Sequence, residues 1–407
     1  MLRTITASSS QARLVLIGTA LLLLLGMGIR QSLGLFLAPV THDLGISAAD
    51  FTLALGIQNI VWGLSQALVG AIADRFGLRI TMVAGAAIYV VGLAIMAAAD
   101  GAVALIISGA LIGVALSCTA TSLAMTACVR AVSPARRSTM LGVVSAVGSL
   151  GTLVVPLATQ ALLAREPWQI GALFFMLITI GMLPASFLAG GADKMQGHST
   201  ATASMREVLG QAMRNRPFRV MSGAYFVCGL NLIFLTTHLP AYLAICGQDP
   251  MLSAEALGVI GGVSAIGSLL TGWLGGKYPK HILLGLLYIL RSLIFAAYFV
   301  LPPTPTSTAA MGLLWWPGLA PLIGGLVAEI FGTRYIATLL GLSFVVHQLG
   351  SSLGAWGGGL IFDLSGSYDA AWQIGTVIGL GAGMIQIVAG GPTRGHDRMI
   401  VPAVATT

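Results

Sequence analysis

The sequence predicts an all-α integral membrane protein with twelve transmembrane helices. Of its 407 residues, 57% are hydrophobic and only 8% are charged, and the mean hydropathy is +0.93. A soluble domain carries about 25% charged residues because its surface must be solvated. Most of the surface of this chain must therefore face lipid. Glycine is also abundant, at 53 residues, which suits helices that pack closely in a bilayer.

Twelve apolar segments are long enough to cross a membrane, since a helix needs about 20 residues to span the hydrocarbon core. They are 14–38, 52–73, 79–98, 102–129, 138–163, 168–190, 217–244, 254–275, 281–301, 308–330, 336–362 and 369–390. The one long hydrophilic stretch, 191–216, separates six segments from six. We therefore expect an N-terminal bundle over 1–190, a linker over 191–216 and a C-terminal bundle with a short tail over 217–407.

The basic residues predict the orientation of the chain. Of the 20 Lys and Arg residues, seventeen lie on the side of the N-terminus, Arg165 lies on the other side, and Arg30 and Arg291 lie inside apolar segments. Loops on the cytoplasmic side carry an excess of Lys and Arg. Both termini and the linker are therefore expected in the cytoplasm, in a multi-pass protein of the inner membrane. Because the charges are spread over short loops, we expect no nucleic-acid partner.

The two halves of the sequence repeat. Pro39 corresponds to Pro240, Gly142 to Gly341 and Gly151 to Gly350, at nearly the same separation along the chain. Internal repeats of this kind are typical of secondary transporters. The repeat predicts two pseudo-symmetric six-helix bundles.

A short polar loop follows the second apolar segment. It reads Gly70-Ala-Ile-Ala-Asp74-Arg75-Phe-Gly77-Leu-Arg79 and resembles the loop G-x-x-x-D-R-x-G-x-R/K of the major facilitator superfamily. The resemblance covers essentially the whole chain and implies the major facilitator fold and transport by alternating access. It also implies that these five named residues, with Arg130, form a gate at the cytoplasmic side. Asp74 is expected to accept a hydrogen bond from a neighbouring helix end or from Arg130, closing the two halves.

Four further stretches indicate a narrower group. GIRQSLGLFLAPV, THLPAYL, YILRSL and HQLGSSLGAWGGGLIFD are similar to a bacterial group related to monocarboxylate and oxalate–formate transporters. This resemblance implies a bacterial source and an organic-anion substrate. Mammalian-type members carry an Asp and an Arg in the eighth helix, whereas segment 254–275 has neither. Their coupling mechanism therefore cannot be assigned to this chain.

Two arginines lie deep inside apolar segments. A charge at the centre of a membrane helix costs at least about 2.5–3.5 kcal/mol, and none of the 13 acidic residues falls near mid-membrane. An anionic substrate could therefore be the partner of Arg30 and Arg291, since the guanidinium fork fits a carboxylate. The repeat aligns Arg30 with Asn231, which we expect opposite the cation. Alternatively, each arginine binds backbone carbonyls or extends to the membrane surface.

Other polar residues complete the predicted site. Asn59 and Trp62 in the second segment, with His347 and Gln348 in the eleventh, are expected to contact the substrate. His347 and His238 could carry a coupling proton, because the unperturbed pKa of histidine is near 6.5. Either could instead be a histidine of the protein core, and His238 could be a gate.

The favoured function is uptake of a small organic anion by symport or exchange. The alternative is a carrier or exporter of a neutral or aromatic compound, with Trp62 and Tyr225 stacking on it. A receptor-like homologue and an intramembrane enzyme are more distant alternatives. The chain contains no P-loop, H-E-x-x-H or C-x-x-C motif. We expect no enzyme activity, no cofactor and no metal, and a monomer that needs a coupling ion or counter-substrate.

The orientation can be tested in the linker. In a Ser199→Cys variant whose four native cysteines are replaced by serine, the new thiol should be protected from an impermeant thiol reagent added to intact cells, because the linker is expected in the cytoplasm. Labelling of permeabilised cells provides the control. Labelling of position 199 from outside would contradict the predicted orientation.

Overall fold

The computed structural model describes residues 9–133, 137–195, 205–315, 318–331 and 336–391. Within these ranges, ten helices are long and apolar enough to cross a membrane. They are α1 (Ser10–Leu44), α2 (Ala48–Phe76), α3 (Leu78–Ala97), α4 (Ala102–Ala131), α5 (Met140–Leu163), α6 (Trp168–Lys194), α7 (Arg216–Ile245), α8 (Pro250–Gly275), α9 (Lys280–Val300) and α12 (Asp369–Ala389). A short helix, Met205–Arg214, precedes α7.

The remaining two predicted segments are also helical. The 30-residue α11 (Ile336–Ser365) corresponds to segment 336–362. The prediction of one continuous helix over 308–330 is wrong, because α10 consists of two pieces, α10a (Pro305–Leu314) and α10b (Ala320–Phe331). Gly318 and Pro321 adjoin the interruption. Proline lacks the N–H needed inside a helix but fits its first turn, so a new helix, α10b, begins next to Pro321.

Part of the predicted linker lies outside the described residues, at 196–204. Its first residues belong to the end of α6, which finishes in a 3-10 turn at Gly190–Lys194. Its last twelve residues, 205–216, include the short helix Met205–Arg214. The boundaries at 1–190, 191–216 and 217–407 stay predictions.

The glycines of the internal repeat form the same helix contact in both halves. In the first half, a Cβ at Gly151 of α5 would meet the backbone carbonyl of Leu24 in α1. In the second half, a Cβ at Gly350 of α11 would meet the carbonyl of Phe226 in α7. Without side chains at these positions, the backbones approach closely, as small residues allow in membrane helices. The pseudo-symmetry of the sequence is therefore also a symmetry of packing.

The helices α2 and α11 join the two halves in an antiparallel pair. Gly359 of α11 lies against Thr52 and Ala48 of α2, and Gly63 of α2 lies against Gln348 of α11. Two turns further along, Gly70 and Gly341 should face each other. A Cβ built on either glycine would have no heavy atom within 4 Å, apart from its chain neighbours and its own helix backbone. The two helices therefore touch at one end and separate towards the other.

The bundle has two ends, which are called the basic face and the opposite face. The basic face is the end of the bundle where α2 ends at Phe76 and α9 begins at Lys280. The opposite face is the end where α2 begins at Ala48 and α11 ends at Ser365. The halves are in contact towards the opposite face, and α2 and α11 diverge towards the basic face.

The glycine contact can be tested by matched substitutions on α5. Gly151→Ala should lower the melting temperature of the purified protein, because overpacking costs about 1–3 kcal/mol. That cost exceeds the gain of about 1 kcal/mol in helix propensity from Gly to Ala. Gly142→Ala is the control, since a Cβ there would have no neighbour within 4 Å. Equal melting temperatures for the two variants would contradict the packing role.

Candidate substrate-binding site

Arg30 lies in the middle of the molecule, near the end of the regular part of α1. Its Nη2 donates a hydrogen bond to Oδ1 of Asn59 at 3.3 Å, and its guanidinium carbon lies 5.0 Å from the centre of the Trp62 ring. Its Nε is buried and has no hydrogen-bond partner. The cation therefore has neutral neighbours and an unused donor.

A chain of polar side chains extends from Arg30 into the second half. Asn59 Oδ1 also accepts a hydrogen bond from Nε2 of Gln348 at 3.4 Å. Oε1 of Gln348 lies 3.1 Å from Nδ1 of His347 and accepts from Ser351 Oγ at 3.3 Å. Asn59, Gln348 and His347 are all nearly buried, at 3%, 1% and 6% exposure. The predicted residues Arg30, Asn59, Gln348 and His347 thus form one network across the two halves.

Aromatic rings surround this network. Trp62 and Phe344 meet edge to face, with centroids 5.1 Å apart, and so link α2 to α11. The ring of Tyr225, from α7, lies 4.3 Å from that of His347. The Trp62 Nε1–H is buried and has no acceptor. The network is therefore surrounded by rings, one of which carries an unused N–H group.

A small cavity lies next to Arg30, between Arg30 and the end of the bundle named the opposite face. Its volume is about 20 Å³, which is enough for about one water molecule. Its lining comes from α1, α2 and α7: Arg30, Leu33, Gly34, Leu55, Gln58, Asn59, Ile233, Thr236 and Thr237. Gly34 closes it, because a Cβ there would meet the backbone of Thr236 and Thr237.

Neither deep arginine is neutralised by a carboxylate in the described part of the chain. The ion pairs there join Arg130 to Asp74 and Asp193, and Lys280 to Glu329. Attraction between charges is much stronger inside a protein than in water, since the effective dielectric constant is lower. An anion reaching Arg30 would therefore be attracted to it more strongly than to an arginine in water.

Among the described residues, Arg291 and Asn231 make no hydrogen bond to this network. Arg291 is 4% exposed. It donates to Cys228 Sγ at 3.3 Å and stacks 3.9 Å from the Trp315 ring centre, while its Nη2 has no partner. The amide of Asn231 donates to Gly375 O of α12 at 3.2 Å. The expectation that Asn231 lies opposite Arg30 is therefore corrected: the α7 residue equivalent to Arg30 points into its own bundle.

His238 joins three helices of the second half. Its Nε2 lies 2.7 Å from Ala355 O on α11, and its Nδ1 lies 3.2 Å from the hydroxyl of Tyr368 beside α12. The side chain is 1% exposed. Both ring nitrogens have partners, so the described contacts of His238 are those of a core residue.

A carboxylate holds the halves together at the opposite face. Asp363, at the end of α11, accepts from the backbone N–H groups of Ala48 at 3.1 Å and Ala49 at 2.7 Å. The next amide, that of Asp50, donates to the Ser47 side chain, which completes the cap of α2. The first N–H groups of a helix have no partner within it and carry partial positive charge. A carboxylate from one half thus caps a helix of the other.

Comparisons with known proteins agree with this architecture. The family model of the Major Facilitator Superfamily matches residues 18–355. The chain belongs to the major facilitator superfamily. It is therefore a multi-pass membrane transporter and not an enzyme.

Three related proteins show how far the similarity extends. Monocarboxylate transporter 13 of Bos taurus is 26% identical over 88% of this chain and 84% of its own. The oxalate:formate antiporter of Oxalobacter formigenes is 23% identical, over 85% of this chain and 83% of its own. A crystal structure of a bacterial homologue of the human lysosomal transporter Spinster, inward-facing and unoccupied, matches with a TM-score of 0.72 at 16% identity. That match covers 94% of this chain and 95% of the other, and it shows the fold alone.

The superfamily loop lies on the basic face and provides the acidic residue of the expected ion pair. Arg130 Nη2 donates to Asp74 Oδ1 at 3.2 Å. Gly77 has a φ of +96°, in the region that favours glycine, where the chain turns from α2 into α3. The guanidinium of Arg79 lies 4.2 Å from the centre of the Phe187 ring, and that of Arg75 lies 5.2 Å from the Phe76 ring.

This ion pair does not close the two halves in the present structure. Asp74 lies on α2, Arg130 on α4, and the second acid near Arg130, Asp193, on the end of α6, all in the first half. The expectation that Asp74 closes the halves is therefore corrected for this conformation. Whether these residues act as a gate stays a prediction.

Two acidic residues of this transporter have contacts that the sequence pattern does not indicate. Asp193 falls in the predicted linker, but it accepts from the backbone N–H groups of Leu78 at 2.8 Å and Arg79 at 3.0 Å, and so caps α3. Asp363 follows the eleventh predicted segment and has no predicted role. Both lie at helix ends near the membrane surface, and only the fold shows which helix start each one reaches.

The contact of Asp363 can be tested by the accessibility of the cavity. In a Cys246→Ser background, Asp363→Asn should speed thiol labelling of Thr236→Cys about fivefold. The reason is that the exposed, charged hydrogen bonds of Asp363 stabilise closure by on the order of 1 kcal/mol. Asp369→Asn is the control, since Asp369 lies at the same face and its carboxylate makes no hydrogen bond or ion pair that joins the halves among the described residues. Equal labelling in both variants would show that Asp363 does not hold the face closed.

Proposed function

We propose that this protein moves a small organic anion, a carboxylate, across the cytoplasmic membrane by alternating access, with Arg30 as the group that binds the anion. The observation that carries this proposal is a deep guanidinium with only neutral partners and a free Nε–H, at the contact between the halves. A substrate carboxylate would supply the missing negative charge.

The contacts of Arg30 suggest how the anion binds. Its present acceptor, Asn59 Oδ1, is neutral and is shared with Gln348. A carboxylate can accept two parallel hydrogen bonds from a guanidinium, which are stronger than those of an amide. The anion would therefore compete with Asn59 for Arg30. Because Asn59 links Arg30 to Gln348, binding would alter a contact between the halves.

The packing of the halves supports alternating access. The opposite face is closed by Asp363 on α2 and by Gly34 on α7, whereas α2 and α11 separate at the basic face. In the sequence, 17 of the 20 Lys and Arg residues belong to segments on the side of the N-terminus. Because described members of this set such as Arg75 and Lys280 lie at the basic face, we propose that this face is cytoplasmic, with both termini on that side. The structure would then be the state open to the cytoplasm. The direction we propose is uptake, by symport or by exchange, in a monomer.

The names of the relatives support the anionic substrate. Relatives that cover more than four fifths of the chain are named a monocarboxylate transporter and an oxalate:formate antiporter. Both names refer to carboxylates. The unpaired Arg30 gives the same chemistry an independent physical basis.

For coupling, His347 is better placed than His238. His347 lies in the network of Arg30 through Gln348, and Ser351 Oγ lies 3.4 Å from its Nδ1. His238 lies near the opposite face with both nitrogens bound. We propose that a coupling proton, if the transporter is a symporter, is carried by His347 or by the substrate carboxyl group. With the anion bound at Arg30, Arg291 would attract it only from a longer distance.

The second candidate is transport of a neutral or aromatic compound. The rings of Trp62, Phe344 and Tyr225 around the network favour it, and the Trp62 Nε1–H is free to bind such a compound. In that case Arg30 would only brace Asn59 and Trp62. The two candidates differ in whether the charge of the ligand matters.

Substitutions of Arg30 distinguish these candidates. Arg30→Gln should weaken the binding of a small carboxylate by on the order of 2 kcal/mol, because a buried charged group loses its partner. That corresponds to about 30-fold in the dissociation constant. Arg30→Lys should weaken it less, since the charge remains but the two-pronged donor is lost. Binding of carboxylates and of the corresponding amides to purified protein measures both effects.

Arg291→Gln is the matched comparison, because it removes the other deep charge. It should leave the preference for carboxylates over amides nearly unchanged, because Arg291 packs on Trp315 and Cys228 within the second half. If Arg30→Gln weakens carboxylates and amides equally, Arg30 is structural and the neutral substrate is favoured. If only Arg291→Gln removes the preference, the anion binds at Arg291.

A further inference from the structure

An apolar groove lies between α8 and α9 near the basic face, with α10b behind it. Its volume is about 310 Å³. Leucines dominate its lining, which consists of Thr271, Leu274, Leu283, Leu286, Leu287, Leu290 and Leu322. From Leu283 to Leu290 it follows about 10 Å of α9, at about 1.5 Å per residue.

The groove exists because α8 and α9 pack on different neighbours. A Cβ at Gly275, the last residue of α8, would lie 2.9 Å from Leu322 of α10b, so α8 is drawn towards α10b. A Cβ at Gly285 of α9 would meet the backbone of Gly383 on α12 at 2.7 Å. The two helices are joined by a short turn but are held apart by these contacts. The gap between them opens to the lipid side.

The membrane determines what fills this gap. Leu286 and Leu290, on the outer edge of the groove, are 51% and 45% exposed. The lining belongs to membrane-spanning helices, whose outer surface is surrounded by hydrocarbon chains rather than water. An empty apolar gap loses the dispersion contacts that a filled one has. A lipid acyl chain is the occupant with the matching chemistry.

The mouth of the groove carries a cation that has no ion-pair partner among the described residues. Lys277 lies in the turn between α8 and α9, with Nζ 3.8 Å from the centre of the Trp273 ring. Lys280 is paired with Glu329 at 2.5 Å. Among the ion pairs of the described residues none includes Lys277. Its ammonium is therefore available to an anion at the membrane surface.

Aromatic side chains place this mouth at the level of the lipid headgroups. Trp273 and Tyr278 flank Lys277, and each is 57% exposed. Exposed Trp and Tyr residues are enriched where the hydrocarbon core meets the polar headgroups. Basic pockets between membrane helices bind anionic headgroups.

We propose that this groove binds one acyl chain of an anionic phospholipid, whose phosphate group contacts Lys277. The lipid would fill the space between α8 and α9 and join the two helices at the basic face. This site is separate from Arg30, so its test does not depend on the substrate.

Native mass spectrometry of the full-length protein can test the site. The probes are a phosphatidylglycerol and a phosphatidylcholine with the same acyl chains, added to protein purified in detergent. The wild type should prefer phosphatidylglycerol about fivefold, since one basic residue near the surface contributes about 1 kcal/mol. Lys277→Gln should abolish this preference while leaving the binding of phosphatidylcholine unchanged. As Lys277 is exposed, the substitution should not affect folding.

Leu290→Trp tests the groove itself. The larger side chain should fill the gap and reduce the binding of both lipids several-fold. Leu269→Trp is the matched control: Leu269 is a lipid-facing leucine of α8, 70% exposed, that does not line the groove. Equal binding of the two lipids to the wild type, or no difference between Leu290→Trp and Leu269→Trp, would overturn the proposal and leave detergent or bulk lipid as the occupant. If Leu290→Trp does not fold, the loss of preference in Lys277→Gln still decides the role of the headgroup.

Discussion

The close contact of helix backbones at glycines is the constraint on which the rest of this structure depends. In a bilayer, hydrocarbon chains surround the protein, so helices gain little from hydrophobic burial and associate through close packing. Gly28 and Gly151 bring α1 against α5, and Gly229 and Gly350 bring α7 against α11. Gly63 then brings α2 against Gln348 of α11. Larger side chains at these positions would move Arg30, Asn59 and Gln348 out of hydrogen-bond distance.

The charge of Arg30 is the costly feature that this packing holds in place. Its partners in the protein are an amide oxygen and an indole ring, which together orient the guanidinium without neutralising it. An internal carboxylate would have stabilised the cation more, but it would also have competed with an anionic ligand. The neutral network is thus suited to the proposed binding and release of an anion. Arg291, packed on Trp315 within the second half, shows that a deep arginine need not face the centre.

At both faces of the transporter, a carboxylate caps the start of a helix. At the opposite face Asp363 caps α2 from the other half, and at the basic face Asp193 caps α3 within one half. A carboxylate is attracted to the positive end of a helix, so each contact is favourable. Each contact is also partly exposed to water, so it can break. Only the first contact joins the halves, which is consistent with closure at the opposite face and separation of α2 and α11 at the basic face.

The sequence by itself determined the class and the repeat of this protein. Hydrophobic composition and segment length predicted membrane helices, because the thickness of the bilayer sets the length of a spanning helix. The repeat predicted two equivalent halves, and Gly151 and Gly350 make equivalent backbone contacts in them. The sequence also selected Arg30, Asn59, His347 and Gln348, because buried polar groups in a membrane helix are costly. The break in α10 could not be predicted from the sequence, because prolines and glycines also occur in continuous membrane helices.

Only the tertiary structure decided which of the selected residues lie together. Asn231 and Arg30 occupy equivalent positions, yet Asn231 binds Gly375 whereas Arg30 reaches Asn59. The direction of a side chain depends on the neighbours of its helix, which differ between the two halves even where the backbones repeat. The pairing of Asp363 with α2 likewise joins residues far apart in the chain. Such contacts follow from the docking of the halves, which no local pattern of residues specifies.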